Sequence, residues 1–496
     1  MINWIKNNRL EAAIIIGLFI LTAFLRFYRL PDYMTFLGDE GRDALMIKRI
    51  LVEHDFPLLG PPTSVGNIYL GPLYYYMMAV PMAIWWLNPV AAVAMVATIG
   101  ISTVFLIYFL AKRWFGLWPG LLVATLYSIS PVNIIYSRSS WNPNPAPFFA
   151  LLAVLGLDQA RRTKNFRWFI LTGGALAAAV QMHYLALILL PIFGLFWIFE
   201  YKKRSDYNYY TQGSIGAIII FCFLISPLVI FDFRYNFLNY KAMVSMFSTK
   251  SEAISFNLFD KLSKVGDIYY YKLVLRYLVV GQNLLAWVVG TGILLSIGIF
   301  LKKRKELPDF WPYRLLIVWL LGGLIGLSFY KGEVYDHYLG FLNPAPYLLI
   351  GGLIGLLSKR LQIVSAALVL IVLGFVNLQK NPLLLAPNNQ LQRTQDIARY
   401  IISKSDNKPF NFALIAKSNY DSAYQFYLDQ YGHKVKVVPV DVTDQLFVVC
   451  EDSVCNPVVD PKYEIVGFGW TKVEWVQEVQ ELKVYKLIHN PDQPKK

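Results

Sequence analysis

The chain has 496 residues, 56% of them hydrophobic and only 16% charged, against about 45–50% and about 25% in an ordinary soluble domain. This composition excludes disorder and a collagen-like repeat; three cysteines exclude a disulfide scaffold, and five histidines outside any Cys/His cluster give no zinc spacing. A net charge of +14 would suggest nucleic acid in a soluble protein, but beside long apolar runs and 16% aromatics it points to a membrane and to no nucleic-acid partner.

Apolar runs predict membrane spans at 12–29, 89–111, 117–136, 146–160, 167–182, 184–199, 213–230, 283–301, 315–329, 343–357 and 361–378. Several are shorter than the ~17–25 residues that cross a ~30 Å core, so charge has to set the count. The ambiguous run is Pro72–Leu87, a further span or an interfacial helix. With that run interfacial and the N-terminus in the cytoplasm, eleven spans put eighteen basic residues on one side. They are Lys6, Arg9, Lys112, Arg113, Arg161, Arg162, Lys164, Arg167, Lys202, Lys203, Arg204, Lys302, Lys303, Arg304, Lys305, Arg314, Lys359 and Arg360. Were Pro72–Leu87 to cross, the sixteen that follow it would face outward, against the positive-inside rule. Trp85, Trp86 and Tyr74–Tyr76 also suit an interfacial helix. The first run follows Lys6 and Arg9 as in a signal peptide, but its exit, "FLRFYRLPDY", offers no small-residue cleavage site and predicts an uncleaved span.

From Lys380 the composition turns polar. Alternation in "HKVKVVPVDV", "QLFVVC" and "ELKVYKLIH" predicts strands, and "QRTQDIARYIISK" a helix. The expected fold class is thus a polytopic α-helical membrane protein of about eleven spans, residues 1–379, with a small C-terminal α/β domain, residues 380–496. After an odd number of spans that domain lies outside the cell, on an integral plasma-membrane protein. Cys222 falls in a span and reads as packing; whether Cys450 and Cys455 pair stays open.

The same parity collects polar segments on the outer face: 31–71, "SRSSWNPNP", His183–Tyr184, "YKGEVYDHYLGFLNP", and the stretch 231–282. Gly38-Asp39-Glu40-Gly41-Arg42-Asp43 opens an amphipathic helix with Ala44, Ile47, Ile50 and Leu51 on one face. One reading makes Asp39 its N-cap, with Glu40 and Asp43 complementing the dipole. The other makes it a surface carboxylate poised to take a proton, one of an adjacent pair whose mutual repulsion raises a pKa. Arg138 reads as an interfacial anchor or a phosphate ligand, His183 as an interhelical contact or a catalytic group. Lys331, Glu333, Asp336 and His337 crowd one outer loop, as a solvated face or a phosphate site.

In order and spacing these segments resemble the GT-C membrane glycosyltransferases, most closely the family 39 group of protein O-mannosyltransferases and the lipid A aminoarabinose transferase. The resemblance rests on "GDEGRDALMIKRIL", "YLGPLYYYMMAVP", "LAKRWFG", "SISPVNIIYSRSSWNPNPAPFFALL", "QMHYLALILLP" and "DHYLGFLNPAPYLLIG". It implies inverting transfer of a sugar from a polyprenyl-phosphate donor to a protein, lipid or glycan acceptor. Asp39 would be the base and Glu40 its support. Arg42, Asp43, Tyr74, Arg138, Asn142, His183, Tyr184, Lys331, Asp336 and His337 would bind substrate. No cofactor is implied, and a divalent ion at the carboxylates stays open. Two departures from the family stand out: Gly71 is where the lipid A enzyme has Lys before Pro, and the stretch Trp141-Asn142-Pro143-Asn144 is where many members have an acidic residue, so that Asn142 or Asn144 could hydrogen-bond but not act as a base. A transporter or lipid flippase is the competing class, but it would place acids near the midplane of its spans, where this sequence has few. A scaffold membrane protein would leave Asp39 without a role.

Overall fold

A computed structural model describes residues 8–63, 68–201, 208–246, 258–452 and 454–491. Lys6, Lys202, Lys203 and Arg204 of the charge pattern, and residues 64–67 of the first long loop, lie outside the described residues. All eleven apolar runs are helical: Arg9–Phe27, Pro89–Phe115, Leu117–Ile129 with Pro131–Tyr136, Ala146–Thr163, Arg167–Met182, Tyr184–Ile188 with Leu189–Tyr201, Asn208–Arg234, Asn283–Lys302, Trp311–Ser328, Pro344–Gly355 and Lys359–Gln379. Among the described residues six of these are each long and apolar enough to cross a membrane. Two runs are broken. Pro131 cannot donate to the preceding turn and restarts the helix after Ser130, while Tyr184–Ile188 winds as a tighter 3₁₀ turn before Leu189. The Pro72–Leu87 run gives the helix Leu73–Ile84.

The chain folds into two compact units: Met1–Tyr28, Phe56–Pro81 and Ala92–Leu385 form the first, and Arg29–Asp55, Met82–Ala91 and Ala386–Lys496 the second. In the first unit, helix Arg167–Met182 packs between Ala146–Thr163 and Asn208–Arg234. Small residues permit the approach, as expected where lipid removes the hydrophobic drive between helices. A Cβ on Gly173 would lie 2.3 Å from the carbonyl oxygen of Ala217. The outer helix Asn208–Arg234 exposes Ile215, Ile218, Ile219 and Phe223, an apolar surface suited to lipid. Cys222 is exposed on that helix, so the expectation that it packs is corrected. At the end of helix Ala146–Thr163 the wholly buried Asp158 gathers Arg162 (2.9 Å), Arg113 (3.5 Å) and Arg161 (3.6 Å).

The second unit is built on a four-stranded sheet, β1 (Asn411–Ile415), β2 (Gln445–Cys450), β3 (Thr471–Val479) and β4 (Leu482–His489), in the order β1-β2-β4-β3. β1 and β2 are parallel and buried along their whole length, and the other two pairings are antiparallel. "QLFVVC" and "ELKVYKLIH" form strands as predicted, and "QRTQDIARYIISK" lies in the helix Gln390–Lys404. "HKVKVVPVDV" forms no strand. Asn411 Nδ2 binds the carbonyls of Lys436 and Asp441, and Pro439 has no N–H for a ladder, so only Lys436 bridges β1. β3 carries no clean alternation and was not foreseen. Cys450 and Cys455 are joined as a disulfide.

The helix Gly38–Lys48 belongs to this second unit and packs on Ser422–Gln430. Phe36, just before it, meets Phe426 and Tyr427 at ring distances of 6.2 and 5.6 Å. Ala44, Ile47 and Ile50 are buried as the amphipathic pattern requires. Gly41 is obligatory: a Cβ there would lie 2.2 Å from the backbone nitrogen of Ala423. Gly41→Ala should therefore force the two helices apart and destabilise the protein by about 1–3 kcal/mol or more, read as a lowered thermal unfolding midpoint of the full chain.

Candidate active site

Helix Gly38–Lys48 starts two residues earlier than an Asp39 cap would require, with Leu37 at the N-cap position. Asp39 is therefore not the cap. Glu40 does that work, its Oε2 accepting the Leu37 N–H at 3.1 Å, while the Gly38 N–H donates to Asn419 Oδ1 at 2.8 Å. Asn419 is itself fixed by both oxygens of Glu451 (3.1 and 3.0 Å), and Tyr424 donates to Glu451 at 2.8 Å.

This cap turns Asp39 outward, its side chain 37% exposed. Tyr420 Oη donates to Asp39 Oδ1 at 2.6 Å and Arg42 Nη1 to the same oxygen at 2.7 Å. Burial pushes the Tyr420 hydroxyl well above its ordinary range, so it stays a donor. Oδ2 of Asp39 accepts no hydrogen bond among the described residues, which leaves one oxygen of a positioned carboxylate for an incoming proton. The far side of Arg42 donates from Nε (2.9 Å) and Nη2 (2.7 Å) to Asp43 Oδ1. Asp43 is wholly buried and its Oδ2 has no hydrogen-bond partner among the described residues. Burial pushes Asp43 up to about 7, with Arg42 opposing and Asp39 and Glu40 adding to the rise. The carboxyl whose pKa burial raises is thus Asp43.

The remaining candidates lie in the first unit. His183, Tyr184 and His337 come together: the two imidazoles are 5.8 Å apart, and His183 lies 4.8 Å from the Tyr184 ring. Trp141 meets His337 at 4.3 Å between ring centres, the planes tilted by 51°. Its neighbour Asn142 donates to the Met182 carbonyl at 2.7 Å, holding the end of that helix. Asp336 turns away to Arg276 (2.8 Å), and Lys331 contributes its carbonyl to Lys264 Nζ, which also binds those of Tyr330 and Gly332. Arg138 closes the C-terminus of helix Arg9–Phe27, donating to the carbonyls of Leu25 (3.2 Å), Arg26 (2.9 Å) and Tyr28 (2.8 Å). Tyr74 is buried in Leu73–Ile84. Tyr420, Asn419, Glu451, Lys264 and Arg276 are further residues of these sites, outside the candidates drawn from the sequence. Only Arg276, in an aromatic "YYYKLVLRYL" run, carried a local signal. Among the described residues no three carboxylate, imidazole or thiol groups converge as metal ligands.

The family described as dolichyl-phosphate-mannose-protein mannosyltransferase matches residues 70–231. No curated protein matches the chain. Among solved structures, that of ArnT from Cupriavidus metallidurans bound to undecaprenyl phosphate is similar with a TM-score of 0.63 at 14% identity, covering 95% of this chain and 97% of that one. The Archaeoglobus fulgidus oligosaccharyltransferase in complex with Zn and sulfate is similar with a TM-score of 0.57 at 11% identity, over 85% of this chain and 62% of the other. The resemblance to GT-C membrane glycosyltransferases holds in fold across nearly the whole chain, and in sequence over 70–231.

Asp43 holds its proton more tightly folded than unfolded, so stability should fall as pH rises from about 4 to about 7 and level off above. Unfolding midpoints across that window should show this slope in the wild type and lose it in Asp43→Asn.

Proposed function

We propose that this polytopic membrane protein of GT-C fold transfers a sugar from a polyprenyl-phosphate carrier to an acceptor hydroxyl, with inversion. One observation carries the reading: Asp39 is held by two donors on Oδ1 while Oδ2 is left to the outside. The bound undecaprenyl phosphate of the similarly folded ArnT supports the class of donor. In the reaction the acceptor oxygen gives its proton to Asp39 Oδ2 and attacks the anomeric carbon from the face opposite the phosphate. The glycosyl–oxygen bond breaks and its electron pair leaves with the phosphate, through an oxocarbenium-like transition state. Glu40 acts indirectly by fixing the helix start, and Tyr420 and Arg42 keep the carboxylate oriented. In the second unit Asp43 supports Arg42 beside Asp39; in the first unit Arg138, Lys331 and His337 are proposed as phosphate ligands, with His183, Tyr184, Asn142, Tyr74 and Asp336 as their supports.

Removing a positioned general base costs ~10²–10⁴-fold. Transfer of labelled sugar from polyprenyl phosphate, measured in membranes, should fall by at least a hundredfold in Asp39→Asn. Equal rates would remove Asp39 as base, and no wild-type transfer over a broad panel of donors and acceptors would overturn the enzyme reading.

The same reading has the chain in the plasma membrane, its N-terminus in the cytoplasm and its C-terminal domain outside. In a Cys222→Ser background, cysteines introduced at the exposed Glu53 and Tyr335 should react with an impermeant maleimide on intact cells. One at the exposed Lys303 should react only after lysis; the reverse pattern would invert the topology.

A further inference from the structure

Helix Arg9–Phe27 is apolar over most of its length, yet its last turn carries a wholly buried arginine. Arg26 Nη1 donates to the carbonyls of Ser128 (3.1 Å) and Thr22 (3.4 Å). Its Nε and Nη2 are buried and have no hydrogen-bond partner among the described residues. These two nitrogens form one edge of the guanidinium, the fork that takes two oxygens of a single oxyanion. Arg26 lines a small, partly open cavity that lies within the first unit and has no carboxylate among its lining residues. The nearby acid Asp336, next to the wall residue His337, is already paired with Arg276.

Two tyrosines of the wall are engaged elsewhere, and one amide carries the opposite need. Tyr127 donates to Asn343 Oδ1 and Tyr277 to the Asp336 carbonyl. Asn144 donates its Nδ2 to the Ser139 carbonyl, while its buried Oδ1 has no hydrogen-bond partner among the described residues. A guanidinium keeps its charge at any accessible pH, and burying it is costly unless an anion meets it. Water would satisfy the N–H groups and leave the charge uncompensated.

We infer that this cavity binds a phosphate group that bears, or is flanked by, a hydroxyl. Arg26 holds two phosphate oxygens through Nε and Nη2, and Asn144 Oδ1 accepts from the hydroxyl. A polyprenyl-phosphate carrier, a phosphoglycerol lipid headgroup and inorganic phosphate share this chemistry; only with the first does the site rest on the transfer proposed above.

The test is ligand binding by the purified full chain in detergent, followed by native mass spectrometry. The probes are undecaprenyl phosphate, phosphatidylglycerol and inorganic phosphate, with undecaprenol as the neutral control. At least one phosphate probe should bind the wild type more tightly than undecaprenol does. Its affinity should fall at least tenfold in Arg26→Gln and less in Arg26→Lys. It should also fall in Asn144→Asp, which sets a carboxylate in the wall, leaves the Arg26 contacts to Ser128 and Thr22 in place, and decides the matter if Arg26→Gln fails to fold. The probe that responds identifies the source of the phosphate. Binding no tighter than undecaprenol, or unchanged in both Arg26→Gln and Asn144→Asp, overturns the site. Asp39→Asn should bind as the wild type does whatever its transfer rate, so failure here is distinct from failure of the transferase reading.

Discussion

Everything proposed for Asp39 depends on one close approach, that of Gly41 to the backbone at Ala423. A side chain at residue 41 would hold helix Gly38–Lys48 off helix Ser422–Gln430. The Gly38 N–H would then miss Asn419, and Tyr420 would miss the carboxylate. A charged residue on a loop has many orientations to lose when it is fixed. Here Glu40 at the cap, Asn419 on the first helical amide, and Tyr420 with Arg42 on Oδ1 remove that freedom before any substrate arrives. Preorganisation of this kind is what a base needs, since a small misplacement costs far more than a small change in basicity.

The first unit treats its buried charges in two contrasting ways. Asp158 is surrounded by three arginines, and Arg161 reaches on to Asp309 at 2.5 Å. That network compensates a carboxylate fully and reads as structure. Arg26 has helix carbonyls for one nitrogen and, among the described residues, nothing for the other two. Both residues sit near the end of an apolar helix, and the difference in partners, not in burial, separates the structural charge from the one with something left to bind.

Long apolar runs were legible because the helix-forming signal repeats over many residues, and every one of the eleven became helical. The breaks at Pro131 and Tyr184 were not, since neither interrupts the apolar run itself. β2 and β4 could be read because buried strands are continuous or alternating. The alternation in "HKVKVVPVDV" misled because Asn411, more than twenty residues earlier, claims its carbonyls. The helix opened by Gly38 was visible along with its acids, but the sequence could not say which acid caps, which is buried and which faces out. Those roles are set by Asn419, Tyr420 and Glu451, about 380 residues downstream of the acids. Arg26 does carry a signal in the sequence, a lone cation inside "ILTAFLRFY" at the exit of the first span.

The second unit draws its parts from both ends of the chain, and this has a consequence for how the protein is made. Residues 29–55 leave the ribosome before the later apolar helices, with Phe36, Ala44 and Ile47 requiring cover that Ser422–Gln430 supplies only after those helices have been made. Until then the segment carrying Asp39 waits with an apolar face and no partner, a state open to chaperones and proteases. A premature stop before residue 419 would leave behind a full set of apolar helices. It would remove more than a peripheral domain: the acid on which transfer is proposed to depend would have been synthesised and never seated.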